Sequence, residues 1–338
     1  MRGIDEERVG AWLAANIAGV SAPFTFELIA GGRSNLTFRA VDANGTALVV
    51  RRPPLGHVLA TAHDMAREHR LISAVGTTDV PVPPALGLCT DEEVNGAPFY
   101  VMGFVEGVVL DTPEKAAVMQ RDVRRAAGFH LIDVLADLHA IDVDAVGLGD
   151  LARHGGYVER QLKRWSTQWA NSKTRELPVI DEVERRLRER IPEQQGTSIA
   201  HGDYRFGNCL VDPEAGVVKA VLDWELCTLG DPLADLGYIG VYWTDDGGPS
   251  SRFNDPTPAG GFPKYAELVE RYAATTGRDV SDVEYYRAFG SFRLAVIAEG
   301  VYARYLHGVM GDDQVDLEQM KAGVEVTAQA AVDALNRL

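Results

Sequence analysis

Cysteine is scarce: Cys89, Cys209 and Cys227 are the three in 338 residues, odd in number and without the paired spacing of a metal site. That argues against a disulfide scaffold and makes a reducing cytoplasm the expected compartment. No apolar run is long enough to cross a bilayer. Asp5, Glu6, Glu7 and Arg8 precede only a short apolar stretch, unlike a secretory signal. Positive charge is also in deficit, with 33 Lys and Arg against 49 Asp and Glu for a net charge of −16. General affinity for nucleic acid or an anionic membrane is not expected, because both require basic patches that displace counterions. A site for an anionic ligand must therefore gather its cations locally. The chain has no internal repeat, no extended low-complexity tract and no G-x-G-x-x-G loop.

What it does have is concentrated between Ser198 and Glu225. An apolar run enters a loop at His201-Gly202-Asp203. A second run, Cys209-Leu-Val211, then pairs through the turn Asp212–Gly216 with Val217–Leu222. That hairpin returns Asp223 to the side of Asn208. The offset from Asp203 to Asn208 is that of the kinase loop H-R-D-x-x-x-x-N, with Gly202 in place of Arg. Phosphoryl transfer needs such a cluster: one carboxylate orients the attacking hydroxyl, and an Asn and a second Asp hold magnesium against the phosphate charge.

HGDYRFGN at 201–208 and VLDWELCTLGDPLADLGY at 221–238 resemble the aminoglycoside phosphotransferase family, more closely its branch related to the kinase-like domains fused to some acyl-CoA dehydrogenases. GGRSNLTF at 31–38, VVRRPP at 49–54, FYVMGFVEG at 99–107 and VGLGDLARHGGYVERQLKRW at 146–165 extend the likeness over nearly the whole chain. The resemblance implies an α+β, protein-kinase-like fold of two lobes that phosphorylates a small hydroxylated molecule. Antibiotic resistance does not follow from the family name. In this family the His at position 201 buttresses the catalytic loop.

The local patterns agree with two lobes. Phe24–Ile29, Leu36–Val41 and Ala47–Arg51 read as strands, 57–75 as a helix, and Phe99–Val105 as the last strand and hinge. Helical patterns dominate from Pro113 onward, apart from the hairpin and a polar loop at 244–263. The boundary is placed near 103–107, with residues 1–103 as a nucleotide-binding lobe and 104–338 as a catalytic and substrate-binding lobe.

On the 57–75 helix, Glu68 falls on the stripe of Met65, Ile72 and Val75, so its carboxylate needs a cationic partner. The kinase position for that partner is a strand lysine, and here it is Arg51. Arg52 points to the opposite face. A solvated Glu68 with surface arginines is the other reading. Gly31, Gly32, Ser34 and Asn35 form a turn suited to a phosphate lid, or simply a hairpin turn. Val49 and the hinge near Met102 to Phe104 should line the base pocket. Glu225 is either a further metal contact or structural.

For the acceptor, Tyr157, Arg160, Arg164 and Trp165 on one helix suit a wall for an acyl chain with an anionic tail, while Arg293 on another helix either faces the acceptor or pairs internally. An aromatic stripe buried against other helices fits the same spacing. The expected activity is Mg²⁺-dependent transfer of the γ-phosphate of ATP, or GTP, to a hydroxyl of a small metabolite such as a hydroxyacyl-CoA or hydroxy acid. Asp203 acts as base, Asn208 and Asp223 hold the metal, and Arg51, set by Glu68, binds the nucleotide phosphates. The rivals are a catalytically inactive, nucleotide-binding regulatory module and a metal-dependent hydrolase. A homodimer is left open.

Overall fold

The computed structural model describes residues 1–30, 35–55, 64–246, 255–308 and 315–338. Gly31, Gly32 and Ser34, and residues 57–63 of the expected helix, lie outside them. Asp5 accepts a hydrogen bond from the Arg8 amide and starts α1 (Glu6–Asn16), which buries Val9 and Leu13. Then follow β1 (Thr25–Ala30), β2 (Leu36–Val41), β3 (Ala47–Arg52), α2 (Met65–Val75), β4 (Ala85–Cys89), α3 (Glu92–Asn95) and β5 (Phe99–Gly103). The five strands make one antiparallel sheet in the order β1-β2-β3-β5-β4. Asp42 sets the β2–β3 register by accepting from the amides of Asn44 and Thr46, at 2.9 and 2.7 Å.

The two-residue period of β3 decides what each face does. Leu48 and Val50 join Phe38, Phe99, Val9 and Leu13 in a core beneath α1. Arg52 shares that face and ties down the carbonyls of Gly3 and Asn95 at 2.9 and 3.0 Å. Val49 and Arg51 point the other way, and Val49 packs with Met65, Ile72, Tyr100 and Met102. This second core runs without a break into the helices that follow. The sheet separates the two cores.

The rest of the chain is α4 (Pro113–Ala117), α5 (Arg121–Ala140), α6 (Tyr157–Ser172), α7 (Pro178–Glu189), β6 (Ser198–Ala200), β7 (Cys209–Val211), β8 (Val218–Val221), β9 (Thr228–Gly230), α8 (Leu233–Val241), α9 (Tyr265–Thr276), α10 (Val283–Leu306) and α11 (Leu317–Leu335). In α10, residues 288–296 are buried on every side, as a central helix requires, and the helix packs against α11, α8, α6 and α7. The expected hairpin is β7 with β8, while β6 pairs with β9. Neither β4 nor β9 was anticipated, because each is short, contains glycine and shows no alternation. Within the expected strand and hinge from Phe99 to Val105, the strand part ends at Gly103. No helix among the described residues is long and apolar enough to cross a membrane.

Candidate active site

The loop His201-Gly202-Asp203 leaves β6 directly after its pairing with β9. Gly202 has φ +83°, and a Cβ there would lie 2.8 Å from the Leu226 carbonyl oxygen, so the Arg of the kinase pattern does not fit. Asp235, in the first turn of α8, accepts from the amides of His201 at 2.7 Å and Gly202 at 2.8 Å. Burial pushes its carboxyl up, but His139 at 3.3 Å and the backbone donors outweigh that and hold it below the usual carboxylate range. His201 accepts the Asp203 amide at Nδ1 (3.2 Å) and donates from Nε2 to the Leu222 carbonyl (2.9 Å). Those roles select the Nε2–H tautomer and make the ring a strut between the Asp203 loop and the end of β8.

The β7–β8 ladder continues one pair past β8, where the Leu222 amide donates to the Asn208 carbonyl at 2.8 Å, and Asp223 therefore lands beside Asn208. Asp223 has φ +65° and is the one non-glycine residue at positive φ among the described residues. Strain of this kind persists where the surroundings over-determine a functional geometry. The Asn208 amide nitrogen donates to Asp203, at 2.9 Å to its carbonyl and 2.6 Å to Oδ2. With the nitrogen committed, the Asn208 side-chain oxygen is the atom left to meet a cation.

Arg51 joins the two halves of the cleft. Its Nε donates to Glu68 Oε2 at 3.0 Å, and its Nη2 donates to Asp223 Oδ1 at 2.6 Å and lies 3.9 Å from Glu225. Glu68 is only 2% exposed and also accepts from Tyr100 at 3.1 Å and Asn35 at 2.9 Å. Burial pushes the Glu68 carboxyl up, against the pull of Arg51. Tyr100 is directly opposite Arg51 across the β3–β5 pair. Sequence reasoning missed it, although it lies in the quoted FYVMG segment; its role follows only once the register is known.

Between the halves lies a cleft of about 680 Å³ lined by Val49, Arg51, Met102, Phe104, Asn208 and Asp223 among others. Asn35 is turned from any lid role toward Glu68, and toward Glu225 at 3.4 Å. The five residues proposed for the acceptor are not brought into this cleft. Tyr157 is buried against Gly230, and Trp165 is buried. Arg160 donates to the carbonyls of Gly155 and Arg153, capping its own helix start. Arg164 lies 5.1 Å over the Trp165 ring. Arg293 is buried, donates to the Gly202 carbonyl and sits 4.2 Å over the Tyr238 ring. The aromatic stripe is thus mainly packing, and Arg293 supports the loop that carries Asp203. A further residue unassigned from sequence is Arg205, whose Nε lies 3.4 Å from Asp203 Oδ1.

Among the described residues no three His, Cys, Asp or Glu converge as a metal cage. An Asn oxygen and one carboxylate lining this cleft are nevertheless the hard-oxygen set that suits Mg²⁺, which takes few protein ligands and completes its shell with phosphate and water.

Comparison with known proteins agrees with this architecture. A model of the phosphotransferase enzyme family matches residues 25–283. The chain is 35% identical over 283 residues to acyl-CoA dehydrogenase family member 10 of Mus musculus, over 82% of this chain and 26% of the mouse protein. It therefore spans about a quarter of that relative's length. A crystal structure from Ralstonia eutropha, assigned to the aminoglycoside phosphotransferases, matches with a TM-score of 0.82 at 34% identity over 98% of both chains. An aminoglycoside phosphotransferase in ternary complex with AMP-PNP and hygromycin B shares the fold, with a TM-score of 0.62 at 15% identity over 96% of this chain and 98% of that one. With its two halves arranged around Arg51, Glu68, Asp203, Asn208 and Asp223, the chain belongs to the phosphotransferase enzyme family and has its kinase-like fold.

Proposed function

We propose that this protein transfers the γ-phosphoryl group of ATP, or of GTP, to a hydroxyl of a small metabolite. The observation that carries the reading is the convergence of Arg51, Asn208 and Asp223 on one cleft, with Glu68 paired to Arg51 and Asp203 bonded to Asn208. Val49 and Met102 would pack on the base, with Arg51 at the phosphates. Asp203, its Oδ2 held by Asn208, would align the acceptor hydroxyl and take its proton. Mg²⁺ held by Asn208 and Asp223 would neutralise charge on the phosphate oxygens. The fold shared with an AMP-PNP complex supports a nucleotide. The names of the curated relatives favour an acyl compound bearing a hydroxyl, a hydroxyacyl-CoA or hydroxy acid, over an aminoglycoside.

One observation favours an inactive, nucleotide-binding regulatory module instead: Arg51 already satisfies the Asp223 carboxylate at 2.6 Å. Release of ADP or GDP that depends on an added hydroxyacyl-CoA or hydroxy acid, in the presence of Mg²⁺, tests the catalytic reading. Nucleotide binding with no turnover across a broad panel of hydroxylated metabolites would leave the regulatory one.

A further inference from the structure

Arg205 follows the candidate base by two residues, and its surroundings set it apart from the other cations of the site. Arg51 is engaged on two sides, by Glu68 and Asp223. The Arg205 guanidinium instead makes a single polar contact among the described residues, from Nε to Asp203 Oδ1 at 3.4 Å, and packs 4.9 Å from the ring centre of Tyr242. Its terminal nitrogens donate no hydrogen bond to a described residue. Their direction is set by Gly207: a Cβ at that position would overlap the guanidinium, so Nη1 lies directly against Gly207, which lines the cleft beside Asn208. The guanidinium thus touches both Asp203, the carboxylate that would receive the acceptor proton, and Gly207, a residue of the cleft wall. It is about 80% buried, with side-chain exposure of 20%. In such a setting a charged donor acts on developing negative charge far more strongly than it would in water.

We propose that Arg205 is a catalytic residue that binds the phosphoryl group in flight, and this rests on the phosphotransferase reading above. In the step, the acceptor O–H passes its proton to Asp203 as the acceptor oxygen forms its bond to the γ-phosphorus. The bond from that phosphorus to the β,γ-bridging oxygen breaks, and its electron pair leaves with the nucleoside diphosphate. Charge on the equatorial oxygens of the transferring group meets the free terminal nitrogens of Arg205, while Nε stays on Asp203 and keeps base and phosphoryl group in line. The planar fork suits this double contact, which the single ammonium of a lysine would make less well.

The test needs no knowledge of the acceptor. Thermal shifts are measured with Mg²⁺ plus AMP-PNP, which mimics the ground state, and with Mg²⁺, ADP and aluminium fluoride, which mimics the phosphoryl group in transfer. Wild type should gain more from the fluoride complex than from AMP-PNP. Arg205→Met should keep the AMP-PNP shift and lose the additional gain, and Arg205→Lys should recover part of it. Turnover on any acceptor should fall by about 10²- to 10³-fold in Arg205→Met. Retention of the full fluoride gain by Arg205→Met overturns the inference, as does equal loss of both shifts in Arg205→Met and Arg205→Lys, or absence of any additional gain in wild type. If wild type binds neither AMP-PNP nor its guanosine counterpart, the phosphotransferase reading itself has failed.

Discussion

Replacing Glu68 by Met removes the acceptor for three donors at once, Arg51 Nε at 3.0 Å, Asn35 Nδ2 at 2.9 Å and Tyr100 Oη at 3.1 Å. Breaking a buried ion pair costs about 3–5 kcal/mol when the remaining charge is stranded. Arg51 is not fully stranded, because it keeps Asp223 at 2.6 Å, so the expected cost is at the lower end, about 3 kcal/mol. Arg51→Met strands Glu68 instead. Burial already pushes that carboxyl up, so in the variant it takes up a proton more readily than an unfolded glutamate. A raised folded-state pKa means stability that is present at low pH and lost as pH rises through it. The cost of Arg51→Met should therefore grow as pH rises. In the double variant neither charge is left unpaired, and it should be more stable than the sum of the singles predicts by about 1.5–3 kcal/mol. Urea unfolding of the four proteins without nucleotide measures this cycle. Additivity within about 0.5 kcal/mol, or a cost of Arg51→Met that shrinks as pH rises, would refute the coupling.

Asp203→Asn should bind Mg²⁺-AMP-PNP as wild type does while turnover falls by about 10²- to 10⁴-fold, and near-normal turnover would remove Asp203 from the mechanism. Asp223→Ala should fold but lose the Mg²⁺-dependent part of the nucleotide thermal shift; an unchanged shift would mean that the metal is held elsewhere. Asp235→Asn should destabilise the protein by about 2–4 kcal/mol at pH 7, because a neutral amide replaces a buried carboxylate facing His139 and two loop amides. Because the folded-state pKa of Asp235 is lowered, its contribution is complete above the ordinary carboxyl range and is lost as pH falls below about 4. The gap between Asp235→Asn and wild type in denaturation midpoints should thus narrow toward pH 3, and a gap that widens there would contradict the arrangement.

Most of the candidate site was legible in the residues themselves because its elements are local. Asp203 and Asn208 are five apart on one loop, Asp223 is returned to them by a short hairpin, and Glu68 declares itself by sitting on an apolar stripe. The strand period was enough to say that Arg51 and Arg52 face opposite ways, and the sheet confirms it. Three things depended on contacts between distant segments. The first is the partnership of Glu68 with Tyr100, 32 positions away, which needs the β3–β5 register, and that register involves a strand separated from β3 by α2, β4 and α3. The second is the inward turn of Asn35, where the identity of the neighbour, not the turn itself, decides what the amide bonds. The third is Arg293, which stands with Glu299 among the apolar residues of 291–300 and from sequence could face the acceptor or pair internally. In the folded chain it meets the Gly202 carbonyl 91 positions earlier, together with the face of Tyr238. Helical periodicity tells that such a residue points inward. Only the packing of α10 against α8 and the Asp203 loop tells what it finds there, because the cost of burying a charge is offset by whichever groups the tertiary fold brings to it.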